Sequence, residues 1–375
     1  MSTINEATLE FDTFKQEVLS DYKLACISRE ASLLGRKEVL TGKAKFGIFG
    51  DGKELAQLAL AKYFKPGDFR SGYYRDQTWM MAIGALSVQA YFSGLYAHTD
   101  VAVEPQSAGR QMGGHFATRN LDDQGQWKNL TQQKNSSADI SPTAGQMPRL
   151  LGLALASKIY RNNPALHTEE FQQFSIKGNE VAFGSIGDAS TSEGPFWETL
   201  NAAGVLQVPM VMSVWDDGYG ISVPRELQTT KNSISEALAG FQRTAENPGF
   251  EILTTKGWDY AHLCQTYEKA VHIARTEHVP VLVHVQEVNQ PQGHSTSGSH
   301  ERYKSTERME WEKTHDCIAK FKEWILAFDK GPSALATLEE LDQLSEQAKE
   351  EVKESKNNAW DLFTEDIKKD SLSLE

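Results

Sequence analysis

The chain has 375 residues, 39% of them hydrophobic and 24% charged, with a formal net charge of −13. That is the composition of a globular protein with a sizeable core, and the acidic balance argues against nucleic acid as a partner, because phosphate backbones select basic surfaces. No apolar run reaches the roughly 20 residues of a membrane span, and the polar start over residues 1–10 lacks signal- or transit-peptide character.

In chain order, helical apolar spacing at Phe14, Val18, Leu19, Tyr22, Leu24, Ala25 and Ile27 predicts a long helix over residues 11–39. Glycines between 42 and 52 end it, and a second helix over 53–64 stops at Pro66-Gly67. Residues 71–75 read as a short extended or turn segment, and 77–97 as one apolar helix. The stretch 105–133, with Gly109, Gly113, Gly114 and Gly125, reads as a functional loop or as disorder. Polar turns follow over 135–145, then an Ala/Leu helix over 146–160 and a polar connection over 168–179. Cys26, Cys264 and Cys317 are scattered, odd in number and in no metal-ligand spacing, and read as buried thiols of a cytoplasmic protein.

From residue 181 the pattern is regular. Strand 181–186, helix 195–207 and strand 209–215 make one βαβ unit; strand 250–254, helix 258–278 and strand 280–288 make another. Alternation of this kind predicts an α/β fold, a parallel sheet covered by helices on both faces. A polar loop over 289–302 and a helix over 309–328 come next. Thr337-x-x-Glu340 is a capping box opening a last helix with Leu338, Leu341, Ala348 and Val352 on one side. The charged tail, 357–375, is expected to fray. With no internal repeat and no linker, residues 1–330 read as one domain and 331–375 as a C-terminal helix and acidic tail.

Two of these strands end alike. The first runs into Gly187-Asp188, and the second into Asp216-Asp217-Gly218-Tyr219-Gly220. Acids and glycines also mark ordinary loops after strands. Two carboxylates delivered by strand ends into one crevice are, however, how an open α/β sheet holds a metal and a phosphorylated ligand. Asp188, Asp217 and a carbonyl near Tyr219 are the candidate ligands of a hard cation such as Mg2+. The helix expected near Ser192 offers amides to an anion.

The pattern G-D-x, then an acidic pair and G-Y-x-I-S, resembles the thiamine-diphosphate motif of the α subunits of 2-oxo acid dehydrogenases, the decarboxylating component of the branched-chain and pyruvate complexes. Four further segments agree in order. Tyr73-Tyr74-Arg75-Asp76 is similar to the family's diphosphate-contacting Tyr-Arg segment. Gly109-Arg110-Gln111-Met112 with His115 resembles the branched-chain loop. The segment Ser141-Pro142-Thr143-Ala144-Gly145-Gln146 resembles a Ser-Pro-Leu-Ala-Thr-Gln stretch, and Gly293-His294-Ser295-Thr296-Ser297 the G-H-S-T-S loop. The match covers roughly residues 45–325.

The resemblance implies a thiamine-diphosphate-binding fold that anchors the diphosphate. Tyr74, Arg75, Ser141, Thr143, Gly187, Asp188, Ala189, Ser190, Asp217, Tyr219 and His294 are its cofactor contacts; Asp188, Asp217 and Tyr219 hold the metal, and His294 is catalytic. Arg75 brings a planar, permanently charged fork suited to phosphate. A loop histidine can orient a 2-oxo carboxylate or move protons near neutral pH. The resemblance further implies a β subunit that completes the site in an α2β2 assembly, a lipoyl-bearing acyltransferase and a 2-oxo acid substrate. The leading substrate is 3-methyl-2-oxobutanoate; pyruvate, acetoin and a non-catalytic, regulatory α-like subunit are the alternatives. A Mg2+-dependent phosphohydrolase would want a nucleophilic Asp after its first strand, and none is so placed.

The departures from the family pattern are local. Ala189 replaces a glycine, Asp216-Asp217 an amide pair, and Trp215 a basic residue with its expected phosphate contact. Thr143 stands for a leucine that holds the cofactor bent, and Gly145 for a threonine of a structural potassium site, which is therefore not expected here.

Overall fold

The computed structural model describes residues 10–329, 331 and 333–373; the polar start over 1–9 and the last two residues of the tail lie outside them. The chain begins with α1 (Phe11–Leu40) and α2 (Glu54–Ala61), followed by β1 (Phe69–Ser71), α3 (Gln77–Ala82), α4 (Val88–Leu95) and β2 (Asn135–Ser136). It continues through α5 (Gln146–Asn162), β3 (Ala182–Gly187), α6 (Gly194–Leu206), β4 (Met210–Trp215), the ribbon β5 (Tyr219–Gly220) and β6 (Val223–Pro224), and α7 (Ile234–Ala237). Last come β7 (Glu251–Lys256), α8 (Tyr260–Glu277), β8 (Val281–Gln286), α9 (Thr306–Thr314), α10 (Cys317–Ala327) and α11 (Leu338–Ser373).

Six strands form one parallel sheet in the order β2-β1-β3-β4-β8-β7. Strand side chains alternate between its faces, which sorts the core into two layers. Phe183 of β3, Val211 and Trp215 of β4, and Val281, Val283 and Val285 of β8 pack with α1–α4, α8, α10 and α11. Ala182, Ile186, Met210, Met212, Val214 and Leu282 pack instead with α5, α6 and the segment around Ile234 and Phe250. All eight residues of α2 are buried, as expected of a helix that is apolar nearly all round. Its one acid, Glu54, is held by Arg29 through two hydrogen bonds of 2.7 and 3.0 Å.

The chain leaves β1 toward α3 in the first layer and leaves β3 toward α6 in the second. Neighbouring strands whose chains depart to opposite faces open a crevice at their carboxyl ends, which is where ligands of such sheets bind.

Several expectations are corrected. Residues 77–97 form two helices: Gly84 takes a left-handed φ of +75° and Ser87 caps the second helix by accepting from the Ala90 amide at 3.1 Å. The helix expected over 309–328 is likewise split, because Asp316 caps a new start by accepting from the Ile318 and Ala319 amides. Asn135–Ser136 is an edge strand on β1. The capping box is present, with Thr337 Oγ1 and Glu340 Oε2 each accepting the other's amide, at 3.2 and 2.7 Å. Of its apolar set Leu341, Ala348 and Val352 are buried, but Leu338 points outward. Cys26 and Cys317 are buried thiols, whereas Cys264 is half-buried. No described helix is long and apolar enough to cross a membrane.

The tail does not fray over its described part; α11 is continuous to Ser373. Among its charges sit Trp360 and Phe363, whose rings lie 5.1 and 6.0 Å from that of Tyr96. Removing this anchor is therefore expected to cost about 1–3 kcal/mol in Trp360→Ala, measured by urea denaturation, since a half-buried ring loses part of the full core value. A change within about 0.5 kcal/mol, the range of an ordinary surface substitution, would return the tail to the frayed state its composition suggests.

Candidate active site

The crevice is built on a buried ion cluster. Arg70, on β1, is fully buried and donates to Asp76 Oδ2 from Nε at 3.0 Å and from Nη2 at 2.7 Å. It also donates to both carboxylate oxygens of Asp139 at 3.0 Å and to the Tyr73 carbonyl at 3.1 Å. Asp76 in turn accepts from Ser185 on β3 and, at 3.4 Å, from the Trp215 indole on β4. Three strand ends and the loop before α5 are thus tied together beneath the pocket. Trp215 turns its indole N–H down into this cluster, and Gly72 packs on it so closely that a Cβ would lie 2.0 Å from Asp76.

Above the cluster lies a cavity of about 310 Å3, lined by Asp188, Asp217, Arg75 and His294 among others. At one end Asp188 is buried, and its Oδ2 has no hydrogen-bond partner. Burial first, then the charges of Asp217 and Asp216, push its carboxyl well above the usual range. Asp216 does not line the cavity. It accepts from His284 Nε2 at 2.8 Å and from Arg225, and these hold it below the usual carboxylate range against the opposing effect of burial. Only one acid of the pair therefore faces the pocket. That acid, Asp217, accepts the Tyr219 amide at 3.1 Å, while its own carbonyl is fixed by Arg308 at 2.8 Å.

At the other end Arg75 donates to the Phe49 carbonyl at 2.5 Å, to the His294 carbonyl at 2.9 Å and to His294 Nδ1 at 3.1 Å. Three of its five N–H groups are spent on protein acceptors, so only Nε–H and one Nη1–H remain for a ligand. A guanidinium can only donate, so His294 Nδ1 is the acceptor and the ring proton sits on Nε2. Burial and the Arg75 charge push His294 down to about 4. It is thus a neutral donor at pH 7 rather than a group that titrates near neutrality.

Of the residues singled out in the sequence, Tyr74, Arg75, Thr143, Gly187, Asp188, Ala189, Ser190, Asp217, Tyr219 and His294 all line this cavity. Ser141 does not; its hydroxyl lies 3.1 Å from His115 Nε2, beside a separate, smaller cavity that holds the 111–116 loop. The short turn Ala189–Ser192 precedes α6, so the helix itself starts at Gly194, within one residue of the expected 195–207 span, and Ser192 belongs to the turn before it. Six lining residues were not among the predicted contacts: Lys53, Tyr73, Trp215, Gly220, Ile221 and Gln228. Tyr73 stood next to a residue that was chosen, and its buried hydroxyl has no partner. For Lys53 and Gln228 the sequence holds no signal, because their places come from tertiary packing. Among the described residues no group of three or more His, Cys, Asp or Glu is arranged to hold a metal by itself. A cation here would draw its remaining ligands from a bound anion and water.

A parallel α/β sheet with acids and a guanidinium facing each other across its switch-point crevice is of the class of α/β proteins that bind ligands at the carboxyl ends of their strands. The model of the dehydrogenase E1 component family matches residues 22–367, and the chain belongs to that family. The family depends on thiamine diphosphate, and its α subunits pair with β subunits. Among known proteins, the chain is 27% identical over 315 residues to the 2-oxoisovalerate dehydrogenase subunit alpha of Bacillus subtilis, covering 83% of this chain and 82% of that one. It is 24% identical to the pyruvate dehydrogenase E1 component subunit alpha of Acholeplasma laidlawii, covering 83% and 76%. It is 23% identical to an Arabidopsis thaliana mitochondrial 2-oxoisovalerate dehydrogenase subunit alpha, covering 76% of this chain but 52% of that one.

The depressed His294 sets a sign for stability against pH. A histidine held near 4 in the folded chain, against 6.5 ordinarily, contributes stability that is present above pH 6.5 and lost as pH falls toward 4. The melting temperature is expected to fall between pH 7 and pH 5, and to fall less in His294→Gln. An equal drop in both proteins would mean that His294 is not the group concerned.

Proposed function

We propose that this chain is the α subunit of the decarboxylating component of a 2-oxo acid dehydrogenase and anchors thiamine diphosphate through Mg2+. The observation that carries the reading is the buried, unpartnered Oδ2 of Asp188, in the same cavity as Asp217. Oxygen donors of this kind suit a hard divalent ion that completes its shell with phosphate and water. Asp188, Asp217 and the Tyr219 carbonyl would hold the ion. When bound, thiamine diphosphate supplies the electron sink for loss of carbon dioxide from the 2-oxo acid.

The chain's own residues bind and orient. Arg75 offers its two remaining N–H groups to a phosphate oxygen, and the backbone from Gly187 to Ser190 forms the floor beneath it. Tyr74 and Thr143 wall the cavity. His294 presents its Nε2–H to the substrate side, as a fixed hydrogen-bond donor to a carboxylate or a developing oxyanion. The pairing of α with β subunits in this family supports a β subunit or β-like chain that completes the site in an α2β2 assembly. The acyl group would then pass to a lipoyl-bearing acyltransferase. Three free thiols support a reducing compartment, the cytoplasm.

For the substrate, the branched-chain names of two of the relatives favour 3-methyl-2-oxobutanoate over pyruvate or acetoin. A second reading, a non-catalytic α-like subunit, draws on Trp215, whose indole turns toward Asp76 rather than offering a charge to phosphate.

Two measurements separate these. Calorimetric titration with thiamine diphosphate and Mg2+ should show binding to the native chain and at least about a hundredfold loss in Asp188→Ala, the effect of deleting a ligand from a two-carboxylate site. Unchanged affinity would move the site elsewhere. Reconstituted with its β chain and offered a panel of 2-oxo acids, the protein should turn over 3-methyl-2-oxobutanoate best, and the chain by itself should be inactive. Robust turnover without a partner would overturn the α-subunit assignment.

A further inference from the structure

Lys53 is a charged cavity residue whose presence no motif explains. It precedes α2 and is 2% exposed. Its ammonium donates to the Asn289 carbonyl at 3.0 Å and to Gln290 Oε1 at 2.7 Å, and it reaches Asp217 Oδ2 at 3.5 Å. These contacts account for all three N–H groups of an ammonium.

The arrangement is locked on every side. Gly52 has a φ of +85°, and a Cβ there would lie 2.2 Å from the Asn289 carbonyl, so the backbone beside Lys53 is pressed against its acceptor. Asn289 is held by donating to the Glu312 and His315 carbonyls, each at 2.9 Å, and Gln290 by donating to Asp51 at 3.1 Å. Lys53 thus lacks the freedom of a surface lysine: burial lowers its pKa while Asp217 opposes that shift, and its ammonium is held beside one of the two acids that face the cavity.

The charges facing the cavity are two acids, Asp188 and Asp217, and two cations, Lys53 and Arg75. Asp216 is already compensated by Arg225 and His284. A divalent cation arriving alone meets the Asp217 carboxylate and the Asp188 carboxyl, which burial holds toward its protonated form, but also an ammonium in contact with Asp217. A polyanion arriving alone meets two cations, but also two acids. Arriving together, each supplies the charge the other lacks.

We propose that Lys53 is a positioning residue that makes cation and polyanion binding interdependent in this pocket. Its ammonium keeps Asp217 bound to the loop at 289–290, weakens the site for a divalent cation alone, and shares the carboxylate once a diphosphate brings its own negative charge. The inference rests on the reading of the pocket as a cation-and-diphosphate site.

The test is Mn2+ binding to the full chain, followed by the electron paramagnetic resonance of the free ion, with and without inorganic pyrophosphate. In Lys53→Gln, Mn2+ alone should bind at least about tenfold tighter than in the native protein, the effect of removing one unit charge a few ångströms away at the effective dielectric of a protein. Pyrophosphate should then improve Mn2+ affinity by a smaller factor than it does in the native chain. Lys53→Met is the second neutral variant should the first lose its near-ultraviolet circular dichroism. The gain should vanish in an Asp217→Asn background, which a general loosening of the pocket would not produce. Folded neutral variants that bind Mn2+ no tighter than the native chain, with the same pyrophosphate factor, overturn the proposal. A native chain that takes up no Mn2+ even with pyrophosphate or thiamine diphosphate present overturns the reading of the pocket, and the proposal with it.

Discussion

Arg70 is the tie on which the pocket's shape depends. Its guanidinium is fully buried between two carboxylates, Asp76 and Asp139, and every other donor it has is spent on the backbone or a hydroxyl nearby. Such a cluster contributes little as a net source of stability, because desolvation offsets most of the attraction; breaking it by removing one partner costs about 3–5 kcal/mol. What it provides is geometry. It fixes where the chain leaves β1, and so where Tyr73, Tyr74 and Arg75 stand relative to Gly187 and Asp188 at the end of β3. Asp76 extends the same tie to β4 through the Trp215 indole.

The acids around the crevice divide into those that are compensated and those that are not. Asp139 and Asp76 belong to Arg70, and Asp216 to His284 and Arg225. Among the described residues Asp188 has no cation of its own, and Asp217 only the Lys53 ammonium, 3.5 Å away. A buried carboxylate without a partner is costly to maintain, and a fold that keeps one at the mouth of a parallel sheet invites a cation from outside. Arg75 and His294 are arranged the opposite way. They satisfy each other, so that the histidine stays neutral and keeps its Nε2 proton for a ligand. The acidic pair that stands for the family's amides presents one acid to the cavity and not two.

Much of this was legible in the sequence. The βαβ units carried short apolar runs, two of them ending in acids, and the parallel sheet and its crevice followed from them. The motif residues were legible because they lie at strand ends or in glycine-bearing loops, where backbone chemistry leaves a trace. Errors arose where side-chain contacts over long range decide the outcome. Ser185 read as an ordinary strand residue and Arg70 fell outside every predicted element, although both pin Asp76. The charged tail read as frayed because Trp360 and Phe363 find Tyr96 only in three dimensions. Ser141 was drawn in by its motif, yet it faces His115. Lys53 was invisible, since a lysine before a helix is usually at the surface and its burial depends on a loop 236 residues away.

The account stands on Asp188 and Asp217 sharing one cation. Crystals of the chain grown with Mn2+ and thiamine diphosphate, measured at the manganese absorption edge, test it most directly. The account predicts one anomalous peak within bonding distance of Asp188 and Asp217, on the Arg75 side of the cavity. A peak bonded to neither carboxylate, or a cofactor bound there with no cation, would contradict it.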